Sequence, residues 1–385
     1  MRDDFRPGRA AVVGAAESDL GMVGAGYSAL DLMAQGVGRA LDDCGLTLRD
    51  VDGIFCATTQ SRLAGLALAE YLNLPEAYID STSTGGSSFM GHLVRAEAAI
   101  AAGLCEVAVV AYGSTQRSLG RKNTSTAEWN PYESPFRPFL PTTAYALAAA
   151  RHMYEFGTTR EALAEVAVAA RQWALLNPQA WEKAPLTVEE VLASRMVSYP
   201  LTIRDCCLVS DGGGAIVLTT PARARSLSRP AVYLLGSGHC TTHQTISNMP
   251  DLVNTGARIS GAMAYAQAGL TSSDVDVVGV YDAFTINTIL FLEDLGFCAK
   301  GEGGDFVSDG RIAPGGSLPV NTNGGGLSYC HPGMYGIFLL IEAIRQLRGE
   351  CGARQVQGAE VAVAHGNGGV LSSQYTVLLG GASTI

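Results

Sequence analysis

The chain has 385 residues, of which 47% are apolar and 16% charged, and a formal net charge of −10. This supplies a large buried core and argues against a disordered or nucleic-acid-coating protein, and the lack of an apolar run of about 18 residues argues against a membrane-spanning helix. The nine cysteines are scattered without a CxxC pair and the start carries no apolar signal segment, so a reducing cytoplasm is expected rather than a disulfide framework.

Residues 10–15 read as a short apolar strand. Residues 28–44 place Leu30, Met33, Val37 and Leu41 at helical spacing, and Gly45 supplies a left-handed stop. Gly45-Leu-Thr-Leu-Arg-Asp-Val-Asp52 then leads into a strand over 53–57. The same order returns later as a helix over 259–268, Gly269-Leu-Thr-Ser-Ser-Asp-Val-Asp276 and a strand over 277–281. A shared octapeptide pattern inside a shared helix–strand order indicates internal duplication.

Each copy continues alike. Ser81-Thr-Ser-Thr-Gly-Gly-Ser-Ser88 opens a helix to residue 102, followed by a strand over 107–111 whose flat apolar edge is expected to need covering. In the second copy, Asn321-Thr-Asn-Gly-Gly-Gly-Leu-Ser-Tyr-Cys-His-Pro-Gly-Met-Tyr-Gly336 opens a helix to 347, and a strand follows over 361–364. Each copy ends in Gly-rich strands, over 211–218 in the first and over 365–369 with 374–379 in the second. Uninterrupted apolar strands alternating with helices indicate sheets covered on both faces, an α/β class with halves at 1–222 and 223–385. Between about 115 and 200 the repeat is interrupted by a loop rich in proline and phenylalanine and by helices over 144–156, 160–176 and 188–196. An insertion this long predicts a cap over a site. Trp129, Trp173 and Trp181 all lie in it, placed either to pack the cap on the core or to face an apolar substrate.

The three glycines at 324–326 strip the Cβ atoms from a short arc and let backbone approach a ligand or another strand. His331 follows in a Cys-His-Pro-Gly turn bracketed by Tyr329 and Tyr335. Alone, this pattern reads as a structural loop holding a hydrogen-bonded histidine.

The order of these features resembles the thiolase superfamily, and within it the sterol-carrier-type thiolases and their relatives. Gly86-Ser-Ser88 opens a helix, His331-Pro-Gly333 follows a Gly-rich loop, and Gly368-Gly369 sits in a C-terminal strand. The resemblance spans nearly the whole chain and implies a five-layer α-β-α-β-α body from two duplicated halves with a helical cap, acting on a CoA thioester. It also shows departures. The family's nucleophilic cysteine falls at Ser83 and its second, acid–base cysteine at Gly366. Its Asn-Glu-Ala-Phe or His-Asp-x-Phe motif reads Tyr281-Asp-Ala-Phe284, and the residue before the motif histidine is Cys330 rather than glycine.

Losing both thiols removes the acyl-enzyme and its proton shuttle. What the resemblance leaves is oxyanion machinery, with the amides of Ser83 and Gly368 in one donor pair and His331 in another. That suits a non-covalent retro-aldol cleavage of a β-hydroxyacyl-CoA through an enolate, as in the steroid side-chain-cleaving aldolases, which this sequence resembles in lacking the cysteines. Tyr329 and Tyr281 are the expected proton carriers, and His365, beside the vacated cysteine position, is a further one. The resemblance also implies a homodimeric core and a small zinc-ribbon and OB-fold partner that helps to bind the CoA ester. With no metal-ligand spacing in this chain, any zinc would belong to that partner. Two alternatives stand beside this reading. One is an acyl-CoA C-acyltransferase that cleaves a β-ketoacyl-CoA through Cys330 or a serine, with a zinc-ribbon partner. The other is a catalytically silent acyl-CoA-binding subunit. Cys56, Cys105, Cys206 and Cys207 read as small core side chains, and Asp282 as a loop anchor bonded to backbone amides.

Overall fold

The computed structural model describes residues 7–120 and 130–385, so Trp129 lies outside the described residues. The first half runs β1 (Ala11–Glu17), α1 (Ala29–Cys44), β2 (Gly53–Ala57), α2 (Ala64–Tyr71), β3 (Tyr78–Ile79), α3 (Ser88–Ala101) and β4 (Val107–Ser114). A short α4 (Gln116–Leu119) leads to the cap helices α5 (Thr142–Phe156), α6 (Arg160–Leu175) and α7 (Val188–Ala193), and to a hairpin of β5 (Met196–Ser198) and β6 (Leu201–Thr202). β7 (Gly212–Thr219) closes the first sheet, and α8 (Pro221–Ala224) leads to the second half. That half runs β8 (Tyr233–Thr241), α9 (Ala257–Ala268), β9 (Val277–Val280), α10 (Thr285–Asp294), α11 (Gly303–Phe306), α12 (Gly336–Arg348), β10 (Val361–Gly368) and β11 (Ser373–Gly380).

The two sheets are ordered β1-β7-β4-β2-β3 and β8-β11-β10-β9. The senses match as well as the order. β7 lies antiparallel to both β1 and β4, with β4 and β2 parallel; β11 lies antiparallel to both β8 and β10, with β10 and β9 parallel. The repeated octapeptide does the same physical work in both halves. Thr47 and Asp50, and again Thr271 and Asp274, form a reciprocal cap on a short 3₁₀ turn. The last aspartate of each copy then receives the first amides of the neighbouring strand. Asp52 accepts from Glu106 and Val107 at 2.8–2.9 Å, and Asp276 from Glu360 and Val361 at 2.9 Å.

Layering follows from the apolar faces. α1 is held at its start by a Ser28–Asp31 capping box and at its end by Gly45 at φ 75°, and it packs its Met33, Val37 and Leu41 face on the first sheet. α3 and α12 lie between the sheets, and α9 and α10 cover the outer face of the second. This is an α/β body of five layers. The strand at 107–111 is not an edge, which corrects the expectation from its sequence. β4 lies inside the sheet between β7 and β2 with Val107–Ala111 wholly buried, and the edges are β1 and β3. Among the described residues no helix is long and apolar enough to cross a membrane.

The insertion is fastened to the Gly-rich loop and to the segment before it by hydrogen bonds. Trp181 and Glu182 donate their amides to the carbonyls of Tyr329 and Ser328 at 2.9 and 3.1 Å. Arg171 Nε donates to Ser328 Oγ at 3.0 Å, Asn177 Nδ2 to Asn323 O at 2.9 Å, and Trp173 Nε1 to Ile312 O at 2.9 Å. Elsewhere, His152 of α5 meets Glu293 of α10 at 3.0 Å, and Lys300 closes on the same carboxylate at 3.0 Å. Of the tryptophans, Trp173 therefore packs the cap on the core, while Trp181 is 40% exposed under the Arg117 guanidinium, 4.5 Å from its ring.

Glu342 of α12 is buried at the root of the loop. It pairs with Arg354 at 3.0 Å and accepts from Thr322 at 2.7 Å and from Gln346 at 3.2 Å. Replacing Glu342 by Ala strands a buried guanidinium, and we expect a loss of about 3–5 kcal/mol in urea-unfolding free energy.

Candidate active site

Four segments meet where α3 and α12 begin: 81–88 before α3, 281–284 after β9, 321–336 before α12, and the end of β10. They can meet only because side chains are missing at the contact. A Cβ on Gly336 would stand 2.0 Å from the Gly86 carbonyl oxygen, and one on Gly86 would stand 2.0 Å from the Tyr281 ring. The loop before α12 makes a π-turn over Gly325–Tyr329, entered through Gly324 and Gly325 at φ 102° and 64°. Asp282 fills the space this opens. Its Oδ1 accepts the Gly326 amide at 2.7 Å, and a Cβ on Gly325 would lie 1.9 Å from its Oδ2. Asp282 thus anchors the loop through backbone amides, as its sequence position implies.

His331 is held on every side. Its amide donates to Ser210 Oγ at 3.0 Å, its carbonyl accepts the Ser210 amide at 3.3 Å, and Tyr112 of β4 donates to the next carbonyl, Pro332 O. Its ring stacks on Tyr335 (6.1 Å, 17°) and meets Tyr281 edge-on (5.7 Å, 90°). Nε2 is buried with no hydrogen-bond partner among the described residues. Burial lowers the imidazole to about 4, so the ring is neutral at physiological pH and Nε2 is left for a group that enters the site.

The other expected site residues are placed unevenly. Tyr281 is in the centre. Its hydroxyl donates to Gly333 O at 3.2 Å and accepts the Tyr335 amide at 3.1 Å, and burial pushes its phenol well above the ordinary range. It braces the histidine turn as a neutral phenol. Tyr329 follows a different direction from the one its sequence position implies. Its hydroxyl donates to Glu17 at 3.0 Å, and Arg345 holds that carboxylate at 2.6 Å. Burial and the Glu17 charge raise the phenol well above its usual range, so Tyr329 closes a buried ion-pair cluster instead of presenting a proton carrier beside His331. Cys330 is buried, and its thiol is raised by burial and by Glu17 and Asp282, which opposes the thiolate an acyltransferase would need.

His365 points to the opposite face of β10 from Gly366, against Phe291 of α10 at 4.5 Å. Both ring nitrogens are engaged, by Thr376 and Gln374 at 2.9 Å each, and burial lowers the ring to about 4. Gln374 passes the chain on to Asn367 at 2.8 Å, and Asn367 Nδ2 donates to Tyr145 Oη at 2.9 Å. His365 therefore stiffens the strand end from behind and is not aimed at the reaction centre. Ser83 is exposed, and lines a depression of about 280 Å³ with Cys56, Ser81 and Arg62. The space for a thiol at 366 is taken, since a Cβ there would lie 2.6 Å from Met90 Sδ and 2.9 Å from Ser87 Cα. Gly368 passes so close to the loop before α3 that its Cβ would stand 1.6 Å from Thr84 O.

Several residues at the site gave no sequence signal. Tyr145, on a cap helix, stacks on Phe284 at 4.4 Å and donates to Gly369 O at 2.9 Å. Tyr112 from the first sheet and Ser210 from the segment before β7 clamp the histidine turn. Cys207, read from sequence as core, is only half-buried. It lines a cavity of about 450 Å³ beside the Gly-rich loop, together with Trp181, Arg117, Arg204, Leu327 and Ser328. Among the described residues no group of three or more His, Cys, Asp or Glu side chains is placed to hold a metal ion.

Replacing Tyr329 by Phe should lower unfolding stability by about 1–2 kcal/mol, because a carboxylate loses its donor. The same change should leave kcat within about threefold, in place of the roughly 10²–10⁴-fold loss expected of a general acid–base group. Chemical denaturation and steady-state kinetics on the same preparation read both.

The family described as thiolase C-terminal domain-like matches residues 238–381. Over 94% of this chain and 97% of the relative, the sequence is 36% identical to the 17-hydroxy-3-oxo-4-pregnene-20-carboxyl-CoA lyase of Mycobacterium tuberculosis. It is 33% identical to the acetyl-CoA acetyltransferase of Methanothermobacter thermautotrophicus over 93% of this chain and 96% of that one. Among solved structures, the Ltp2-ChsH2(DUF35) aldolase superposes with a TM-score of 0.87 at 32% identity, covering 98% of this chain and 99% of that one. Matched at this identity over nearly its whole length, and built as two copies of one α/β half, the chain belongs to the thiolase superfamily.

Proposed function

We propose that this protein is a carbon–carbon lyase that cleaves a β-hydroxyacyl-CoA with a bulky, branched acyl group, such as a steroid side chain, by a retro-aldol reaction. The observation that carries this is the pairing of an intact, unpartnered His331 Nε2 with the absence of a usable thiol around it. The relatives named as a lyase and as an aldolase support the same reading.

In this reaction the β-hydroxyl proton passes to a base and the new C=O forms at Cβ. The Cα–Cβ pair moves into the thioester as an enolate, which is then protonated at Cα. The enzyme's task is to hold the enolate oxygen, and a rigid neutral donor in a dry site does this well because nothing must reorganise as charge develops. His331, fixed by Ser210, Tyr112, Tyr281 and Tyr335, meets that requirement in the tautomer that carries its proton on Nε2. The amides of Ser83 and Gly368 are the proposed second donor pair. The cavity beside Leu327 and Ser328 suits the CoA arm, with the Arg117 and Arg204 guanidiniums for its phosphates and Trp181 for an apolar or aromatic portion. We further place the protein in the cytoplasm as a homodimer that works with a small zinc-ribbon and OB-fold protein. The two-component name of the superposed aldolase supports such a partner.

A C-acyltransferase is the second reading, favoured by the acetyltransferase relative. Incubation with acyl-CoA followed by intact-mass analysis separates the two. We expect no acyl adduct on any cysteine or serine, together with release of a carbonyl product and a shortened acyl-CoA from a branched β-hydroxyacyl-CoA. An adduct on Ser83 or Cys330 would sink the lyase reading, and tight acyl-CoA binding in calorimetry without turnover of β-hydroxy or β-keto thioesters would indicate a silent subunit. Replacing His331 by Ala should lower kcat by about 10²–10³.

A further inference from the structure

Asp282 is more than a peg for the loop. It is fully buried; Oδ1 takes the Gly326 amide, and Oδ2 has no hydrogen-bond partner among the described residues. A Cβ on Gly326 would lie 3.2 Å from Asp282 Oδ1 and 2.9 Å from His331 Cδ2, so one bare glycine separates the carboxyl from the imidazole. That places a titratable group within about 6 Å of the ring, close enough for its charge to be felt in a site of low dielectric.

The groups that face this carboxyl are Cys207 from the segment before β7, Cys330, His331 and Tyr335 from the loop, and Tyr281 beside it. Burial raises both thiols and both phenols, and lowers His331 to about 4. From about pH 5 to pH 9 all five are therefore neutral. The charged groups on adjoining elements are Asp205, which accepts from Thr285 at 2.9 Å, and the Arg171–Glu182 pair (3.2 Å) behind Ser328. Burial raises Asp282 to about 7, against the opposing hydrogen bonds from the amides of Gly326, Asp282 itself and Leu327 and from the Asn321 side chain.

We propose that Asp282 is a positioning residue whose proton sets the working state of the site. As a neutral carboxylic acid it holds the loop without opposing an enolate at His331, and as a carboxylate it repels that enolate. This rests on the retro-aldol reading above. The sign for stability runs the same way. A carboxyl raised from about 4 in the unfolded chain to about 7 in the folded one contributes stability that is full below pH 4 and is lost as pH rises through 7.

The test is kcat on a branched β-hydroxyacyl-CoA at pH 6 and pH 8, for the wild type and for Asp282→Asn, with infrared difference spectra between the same pH values. We expect the wild-type kcat to be about tenfold higher at pH 6, and the variant's ratio to be near one whatever its absolute rate. Burial also raises Glu97 to about 7, so the spectra are taken in a Glu97→Gln background, where the carboxylic-acid band should vanish on raising the pH and be missing once Asp282→Asn is added. A variant that keeps the wild-type ratio, or a Glu97→Gln background with no such band titrating near pH 7, overturns the proposal. If the Asp282→Asn variant does not fold, the titration in Glu97→Gln decides alone, since that change removes the other carboxyl that burial raises to about 7. If nothing is turned over, the lyase reading fails separately, and Asp282 is judged by the same titration with acetyl-CoA bound. There the thioester carbonyl band moves with the carboxyl's proton if the proposal holds and stays still if it does not.

Discussion

The whole site depends on one close approach. α3 and α12 occupy equivalent places in the two halves and lie side by side between the sheets, and their first turns meet with no side chain between them. Gly336 faces the Gly86 carbonyl oxygen at a distance that a Cβ would reduce to 2.0 Å. Because the helix starts touch, the loops that precede them are forced together, and the ends of β9 and β10 come to the same point. A side chain at either glycine would separate the helices and pull the four segments apart.

The same packing leaves no room for a thiol at the second cysteine position of the family. The volume it would use at Gly366 is taken by neutral groups. The Tyr281 ring lies against Gly86, and Met90 and Ser87 lie against Gly366. Burial then works on everything left in the pocket. It lowers His331 and raises the phenols and thiols, so that a neutral imidazole nitrogen is held ready. A centre of this kind can stabilise developing negative charge without first making a nucleophile. The cap reinforces it by bonding to the backbone of the Gly-rich loop, and the ion-paired cluster of Glu17, Arg345 and Tyr329 locks that loop from below.

Much of the fold was legible because duplication writes the same physical instruction twice. Gly-Leu-Thr-x-x-Asp-Val-Asp codes a helix stop, a capped turn and a carboxylate that starts the neighbouring strand, and both copies do this in the structure. Its flanking helices follow from apolar spacing. α10 was harder to see, since a helix buried all round has no polar face to mark its period, and Thr285–Asp294 is buried throughout. The place of β4 inside the sheet was also hidden, because an apolar strand looks the same at an edge or in the middle.

The sequence by itself determined the repeated helix–turn–strand order, the missing thiols and the candidacy of His331, all of which depend on residue type and order along the chain. Only the tertiary structure decided where side chains point. It turned Tyr329 towards Glu17, His365 towards Phe291 and away from Gly366, and Tyr145 from a cap helix into the site. Direction is set by which face of a strand or helix meets which neighbour. That is a property of the packed body, in which residues hundreds of positions apart, such as Glu17 and Tyr329, share one buried charge.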